Sequence, residues 1–369
     1  MSTQRRIAIV GGGVLGAALA HRLTEAGARV VLLERERPGS GASRWSLAWL
    51  NSNARTSHAY HGLRTYSMAE WAKLAERAGG DGWYRPVGNL RWYGDAGRQA
   101  EYAAQVGLLR EWGYEAELVD RDKATALEPA LELPDGVGEV GWFPGEGYVL
   151  TERFVDGLLR RAEDAGAEIR TGAAGHAVTV GDGVVGTADG ARLHADTVVC
   201  CAGRWTPEVT RTAGAEVPVV DPSPPGSESP ALVVRAGPVA APPLRVLHTP
   251  LVHMRAHGVD LVHLEAGDTD VDLHTPDGEL DRLAALLLDR ARAVVPALRG
   301  AEVVDRQVCV RPMPLDGLPA VGHVSDRTYA MVTHSGVTLA AGLADLAARE
   351  LLEDVRLPEL APFRPARFG

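Results

Sequence analysis

Lysine is nearly missing from this chain of 369 residues: Lys73 and Lys123 are the only two, and every other residue among the 38 Lys and Arg is arginine. No lysine is available to any chemistry carried after position 123. The three cysteines, two of them adjacent at Cys200 and Cys201, are too few for the disulfide framework of a secreted scaffold, which points to a reducing cytoplasm. Aromatic residues are 5% of the chain and no basic run is interleaved with them, so nucleic acid is excluded as a partner. Acidic residues outnumber basic ones, 48 to 38, and the net charge of −10 reads as a solubility device. No run reaches the roughly 18 apolar residues a membrane span needs, and no membrane partner is expected. With 46% hydrophobic residues the chain can bury a large core, and its length suits two domains.

Glycine, by contrast, is plentiful at 42 residues, and three glycines are spaced to a purpose. The segment IAIVGGGVLGAALAHRLTEAGARVVLLER runs from an apolar strand, Ile7 to Val10, through Gly11, Gly13 and Gly16 to a second apolar run, Val30 to Leu33, ending on Glu34. Gly11 permits a tight turn, Gly13 lets the backbone approach a pyrophosphate, and Gly16 lets the next helix pack on the strand. Unpaired N–H groups at that helix's N-terminus, opened by Val14 and Leu15, hold a diphosphate without a basic side chain. Glu34, about 20 residues past the glycines, is set to accept from ribose hydroxyls, and an acid there selects an unphosphorylated 2′-hydroxyl. Arg5 and Arg6 followed by fourteen small or apolar residues look superficially like a secretory leader. A cleaved leader has no use for a phosphate turn and a downstream acid.

Pro38 to Asn53 (PGSGASRWSLAWLNSN) reads as a small-residue loop covering the ligand, too rich in serine and glycine for a core element. Helical periodicity is expected over Tyr66 to Ala78, Gln99 to Trp112, Thr151 to Ala165, Leu280 to Val295 and Gly336 to Leu352. The third of these opens on a capping-box-like Thr-Glu and ends at Gly166, and the fourth stops at Pro296. Asn89 to Tyr93 and Leu244 to Leu264 alternate like strands, and Ala195 to Gly203 is a buried strand leading into a turn. Pro218 to Pro243, dense in proline, is expected to be a linker or edge crossing rather than core. His253 and His257 share a metal ligand spacing only in a helix, and this segment looks extended, so no metal is expected. Trp45, Trp49 and Tyr148 are candidate cavity walls, and Cys200 and Cys201 read as core.

Four separated blocks of this chain resemble the FAD-dependent amine and D-amino-acid oxidases, the family of glycine oxidase and sarcosine oxidase. They are the Gly11 to Glu34 fingerprint, the Ser40 to Asn53 loop, the strand and turn from Ala195 to Trp205, and Arg311 to Gly322 followed by His334-Ser-Gly-Val-Thr338. The fold class implied is α/β: a Rossmann-like FAD-binding domain of residues 1–85, 145–215 and 305–369 and a β-rich α+β substrate domain of residues 86–144 and 216–304. The resemblance implies FAD as cofactor. Its binding set is Gly11, Gly13, Val14, Leu15, Gly16, Glu34 and Arg35; Ser43, Arg44, Trp45 and Ser46 in the loop; Ala202 and Gly203; and Ser335, Gly336, Val337 and Thr338.

The implied reaction removes hydride from a carbon bearing an amine, leaves an imine that water hydrolyses, and passes the electrons to oxygen as hydrogen peroxide. Arg311 and Thr338 are the implied catalytic residues, Arg311 pairing with a substrate carboxylate for which its planar fork is suited. In the sarcosine-oxidase branch a cysteine placed as Cys309, with Met and Asp placed as Met313 and Asp316, is linked to the flavin. Cys309 also lies in the apolar run QVCV, where a buried unreacted thiol is common, and both readings stand. Sarcosine oxidases use a lysine to promote the oxygen reaction, and this chain has none after Lys123. A flavin dehydrogenase with another acceptor, a flavin-binding subunit of a hetero-oligomer and an NAD-dependent dehydrogenase are the alternatives. The expected partner is a small amine or amino acid, and the expected assembly a monomer, a homodimer or a hetero-oligomer.

Overall fold

The computed structural model describes residues 4–53 and 57–369. Strand β1 (Arg6–Val10), helix α1 (Val14–Glu25) and strand β2 (Arg29–Glu34) form the first unit. β1 and β2 pair in parallel, Ile7 opposite Val30 and Val10 opposite Leu33, and are buried almost end to end, as strands of a sheet covered on both faces are. Beyond β1 the sheet continues through Thr197–Cys200 and Thr328–Val332 to the antiparallel edge Ala320–Ser325; beyond β2 it ends on Glu168–Thr171. The strand order reverses beside β1, which makes the ends of Val10 and Cys200 the natural crevice for a ligand.

Two glycines fix the turn there. Gly11 has φ +108°, and a Cβ on it would lie 2.3 Å from the Cys201 carbonyl oxygen. A Cβ on Gly16 would lie 1.9 Å from the Gly11 oxygen, so α1 rests directly on the turn.

A second sheet has eight strands in the order Glu302–Val310, Pro230–Gly237, Leu261–Glu265, His253–His257, Val246–His248, Asn89–Arg91, Glu139–Phe143 and Glu117–Asp120. Glu302–Val310 spans position 305 and pairs with Pro230–Gly237 from end to end. Side chains alternate across the sheet. Leu232 and Val234 pack with Leu283, Leu287 and Ala291 of the helix Asp277–Val294, while Ala231 and Val233 face a cavity on the other side.

Four local expectations are corrected. Pro230–Gly237 is a fully buried inner strand, not part of a linker. Its prolines cluster outside it, Pro230 standing at the first position, where a missing N–H is tolerated. The second half of the covering loop is core: Leu47, Ala48 and Leu50 are buried, and Trp49–Leu50 pairs with Gly147–Val149. The Thr151 hydroxyl caps nothing; it donates to the Ser43 carbonyl at 2.7 Å, tying the helix Thr151–Asp164 to the loop. The helix expected from Tyr66 starts at His58, where the Ser57 hydroxyl accepts from the Tyr60 N–H at 3.3 Å. Among the described residues no helix is long and apolar enough to cross a membrane.

Candidate active site

A cavity of about 840 Å³ is lined by both sheets and runs from Glu34 to Arg311 and Thr338. At one end α1 begins on Gly13 with no side-chain cap on its first turn beyond the 3.1 Å bond from Val14 N–H to the Ser43 hydroxyl. Such free N–H groups and the helix dipole favour an anion. Glu34 accepts from the Gly12 N–H at 2.8 Å with one carboxylate oxygen and from the Glu36 N–H at 2.9 Å with the other. Each oxygen keeps a lone pair for a hydroxyl. Arg35 lies over the Trp205 ring at 3.7 Å, closing the crevice beside Ala202 and Gly203.

Gly16 and Arg44 do not line the cavity, unlike the other residues of the expected cofactor set. Gly16 serves the packing of α1, and the Arg44 side chain turns away to Glu152 at 3.2 Å. Tyr148 is buried outside the cavity, beneath Arg255, whereas Trp45 and Trp49 form its wall.

The loop is held from the eight-stranded sheet. Arg255, 1% exposed, donates to the carbonyls of Leu47 and Ser46, and Arg235 donates to that of Arg44 at 2.9 Å. Burial pushes Arg255 down to about 10, which leaves it charged at neutral pH. Further on, Trp49 donates its indole N–H to Glu146 at 2.9 Å and stacks on His248 with ring centroids 3.6 Å apart. Fully buried Glu146 also accepts from Asn53, Tyr114 and the Ser52 N–H, and burial pushes its carboxyl up to about 7.

At the other end of the cavity the helix Gly336–Glu353 opens on Ser335 with no side-chain cap. Its first turn is pinned by the Trp71 indole, which donates to the carbonyls of Val337 and Thr338 at 3.0 and 3.1 Å. Arg311 donates from Nε to the Ser229 carbonyl at 3.3 Å and from Nη2 to that of Glu228. One edge of its fork is thus fixed, and the residue lines the cavity. Cys309 is buried on the same wall, and burial, reinforced by the nearby Glu265, pushes its thiol up to about 12.

Cross-strand register assembles the cavity floor. Arg91 faces His248, His248 faces His253, His253 faces Glu265 and Glu265 faces Val233 on successive strands, and all five line the cavity. Burial keeps the histidines neutral: His248 lies well below the ordinary imidazole value and His253 is lowered to about 4. His334 is open to the cavity space, and enclosure by the walls together with Arg311 and Arg64 lowers it to about 4. Burial raises Glu265, and nearby Arg311 opposes that rise. Among the described residues no three His, Cys, Asp or Glu side chains are grouped to hold a metal.

Arg64, Arg91 and Glu265 are not singled out by the sequence, and His334 stands there only as the first residue of the His334 to Thr338 stretch. Arg64 carried a readable signal: it lies on the buried face of His58–Ala78 with Tyr60, Leu63, Ser67 and Trp71, a cation among apolar neighbours. Glu265 likewise ends an otherwise apolar alternating strand.

The residues present fit an FAD. The side-chain-free turn at Gly11, two uncapped helix N-termini and a carboxylate beyond β2 share one cavity of dinucleotide-holding size. Comparison with known proteins agrees. A family model described as FAD dependent oxidoreductase matches residues 6–350. The chain is 26% identical to glycine oxidase of Geobacillus kaustophilus, covering 100% of this chain and 98% of that one. It is 32% identical over 222 residues to 4-methylaminobutanoate oxidase (formaldehyde-forming) of Paenarthrobacter nicotinovorans, covering 59% of this chain and only 27% of that relative. The crystal structure of the Geobacillus kaustophilus glycine oxidase superposes with a TM-score of 0.84 at 23% identity, covering 99% of each chain. That of L-proline dehydrogenase from P. horikoshii gives 0.81 at 18% identity, covering 100% of this chain and 98% of that one. These two structures establish the shared fold.

Proposed function

We propose that this chain, which belongs to the FAD dependent oxidoreductase family, oxidises a carboxylated amine or amino acid at its C–N bond and uses oxygen as acceptor. The observation that carries the reading is Arg311, fixed along one edge by backbone carbonyls and facing the same cavity as the uncapped helix N-terminus at Ser335. Bound FAD supplies the hydride acceptor.

The rest is positioning by the protein. The Gly11 to Leu15 turn holds the diphosphate, and the N–H groups of Gly336 to Thr338 present the positive end of a helix to developing negative charge. Arg311 orients the substrate carboxylate, which sets the amine-bearing carbon toward the cofactor. His248, His253 and His334 are held neutral and have no cationic proton to give the substrate. Glu265, lifted by burial, takes the proton of the substrate ammonium at a carboxylate oxygen, leaving a neutral amine for oxidation. Water then hydrolyses the imine, and hydrogen peroxide is the second product. The division carried by this reading is 1–85, 145–215 and 305–369 for FAD and 86–144 and 216–304 for substrate. The end-to-end pairing of Glu302–Val310 with Pro230–Gly237 supports starting the last FAD segment after Val310. The reading carries a cytoplasmic setting and an assembly that is a monomer, a homodimer or a hetero-oligomer.

The test is to add carboxylated amines to the purified yellow protein without oxygen and then readmit air. Bleaching followed by recolouring with peroxide is expected. A spectrum unmoved by every amine overturns the reading, and recolouring that requires a quinone or carrier protein replaces oxygen as acceptor.

A further inference from the structure

The substrate end of the cavity holds more positive than negative charge. Arg64, Arg91 and Arg311 line it, against the single carboxylate Glu265. Arg64 is 7% exposed; its Nη2 donates to the Asn51 side chain at 2.8 Å, and its buried Nε has no partner. Arg91 donates to the Asn53 side chain at 2.9 Å and to the Tyr93 hydroxyl. Among the described residues the hydrogen-bond acceptors of these three arginines are amide, hydroxyl or carbonyl oxygens rather than carboxylates. Asn51 and Asn53, two residues apart, therefore hold two guanidiniums against one wall through neutral amides; buried Glu146, bound to Asn53, is the carboxylate that acts on Arg64 without a hydrogen bond to it. A buried cation left unpaired is costly unless a ligand pairs it.

Arg91 and the Arg311–Glu265 pair are also separated. Glu265 lies beside Arg311, whereas Arg91 stands three strands away along the floor, roughly 15 Å at the usual strand spacing. A zwitterionic amino acid with one carboxylate fills the Arg311–Glu265 end and leaves the Arg64–Arg91 end unpaired.

Resting on the amine-oxidising reading above, we propose that the substrate is an amine bearing two separated carboxylates, one held by Arg311 and the other by Arg64 and Arg91. The second carboxylate accepts from the guanidinium donors of Arg64 and Arg91 that Asn51 and Asn53 leave free, which are charge-assisted bonds.

The holoenzyme is titrated with amine-free dicarboxylates from succinate to suberate and with monocarboxylates of equal chain length, following the visible spectrum of the flavin. At least one dicarboxylate is expected to bind about tenfold tighter than its monocarboxylate counterpart, the equivalent of one charge-assisted bond. Arg64→Gln, with Arg91→Gln as the second variant should the first not fold, is expected to reduce that ratio to near one. Equal affinities within twofold in the wild type overturn the proposal, as does an undiminished ratio in a variant that retains flavin. Anaerobic bleaching with glutamate and 2-aminoadipate against norvaline and norleucine separates the two readings. Bleaching by all four at equal kcat/KM sinks the dicarboxylate preference alone, and bleaching by no amine sinks the amine reading and this proposal together.

Discussion

The Thr338 hydroxyl donates to the Trp49 carbonyl at 2.8 Å, joining the first turn of the last long helix to the strand that continues the covering loop. The Thr338 proton is spent on this bond, so only its lone pairs and its N–H face a ligand. Loop and helix bracket the same cavity, and the bond fixes their separation. Thr338→Val keeps the shape and removes the donor, with an expected cost of about 1 kcal/mol. Its signature is a lower temperature of flavin release, followed by flavin fluorescence during heating. A release temperature identical to wild type would show that the bond ties nothing.

Arg311→Lys replaces a fork by a point charge while the Ser229 and Glu228 carbonyls keep their places. Loss of a charge-assisted bond lowers kcat/KM for carboxylated amines by roughly 10- to 100-fold, more than for amines lacking a carboxylate. An unchanged ratio between the two substrate sets removes Arg311 from substrate binding.

Glu146 gives a pH dependence whose sign is fixed by burial. Its carboxyl is raised from 4.5 to about 7 in the fold, so between these values the folded state holds a proton that the unfolded chain has lost. The associated stability is complete below 4.5 and disappears as pH rises through 7, a contribution on the order of 3 kcal/mol. Glu146→Gln cannot titrate. It lowers Tm at pH 5 through mismatched donors around Trp49 and Tyr114, and the gap to wild type narrows toward pH 8. Parallel Tm curves from pH 5 to 8 contradict this account.

The nucleotide turn was legible because its constraints are local: Gly11, Gly16 and Glu34 are set by sterics and by one helix between two strands. The cavity floor was not. Arg91, His248, His253, Glu265 and Val233 meet only through the register of five strands drawn from distant segments, and no periodicity in any one segment announces that meeting. Pro38 to Asn53 reads as a loop from its serine and glycine, which hides the apolar residues of its second half. Trp49 and Leu50 are in fact paired with Gly147–Val149, and polar groups of the segment reach Glu146 and Arg255, 93 or more residues away. The proline count around Pro230–Gly237 misled for a related reason, since the prolines mark the ends of that strand rather than its interior.

Cys309 decides how the cofactor is held. Attack on an electrophilic carbon needs the thiolate, and a thiol pushed up to about 12 leaves roughly one molecule in 10⁵ ionised at pH 7. Neighbouring Glu265 opposes ionisation further, whereas Arg311 and Arg204 favour it and are outweighed by burial. The Cys309 sulfur lies 4.0 Å from the Ala42 carbonyl oxygen and the residue belongs to the cavity wall, but the thiol is uncharged there. FAD is therefore expected to be held without a covalent bond. Acid precipitation should release all yellow colour into the supernatant, and Cys309→Ser should purify with the same flavin content as wild type. Colour retained in the washed pellet of the wild type but not of Cys309→Ser would establish the link and show that bound flavin lowers the thiol far more than burial raises it.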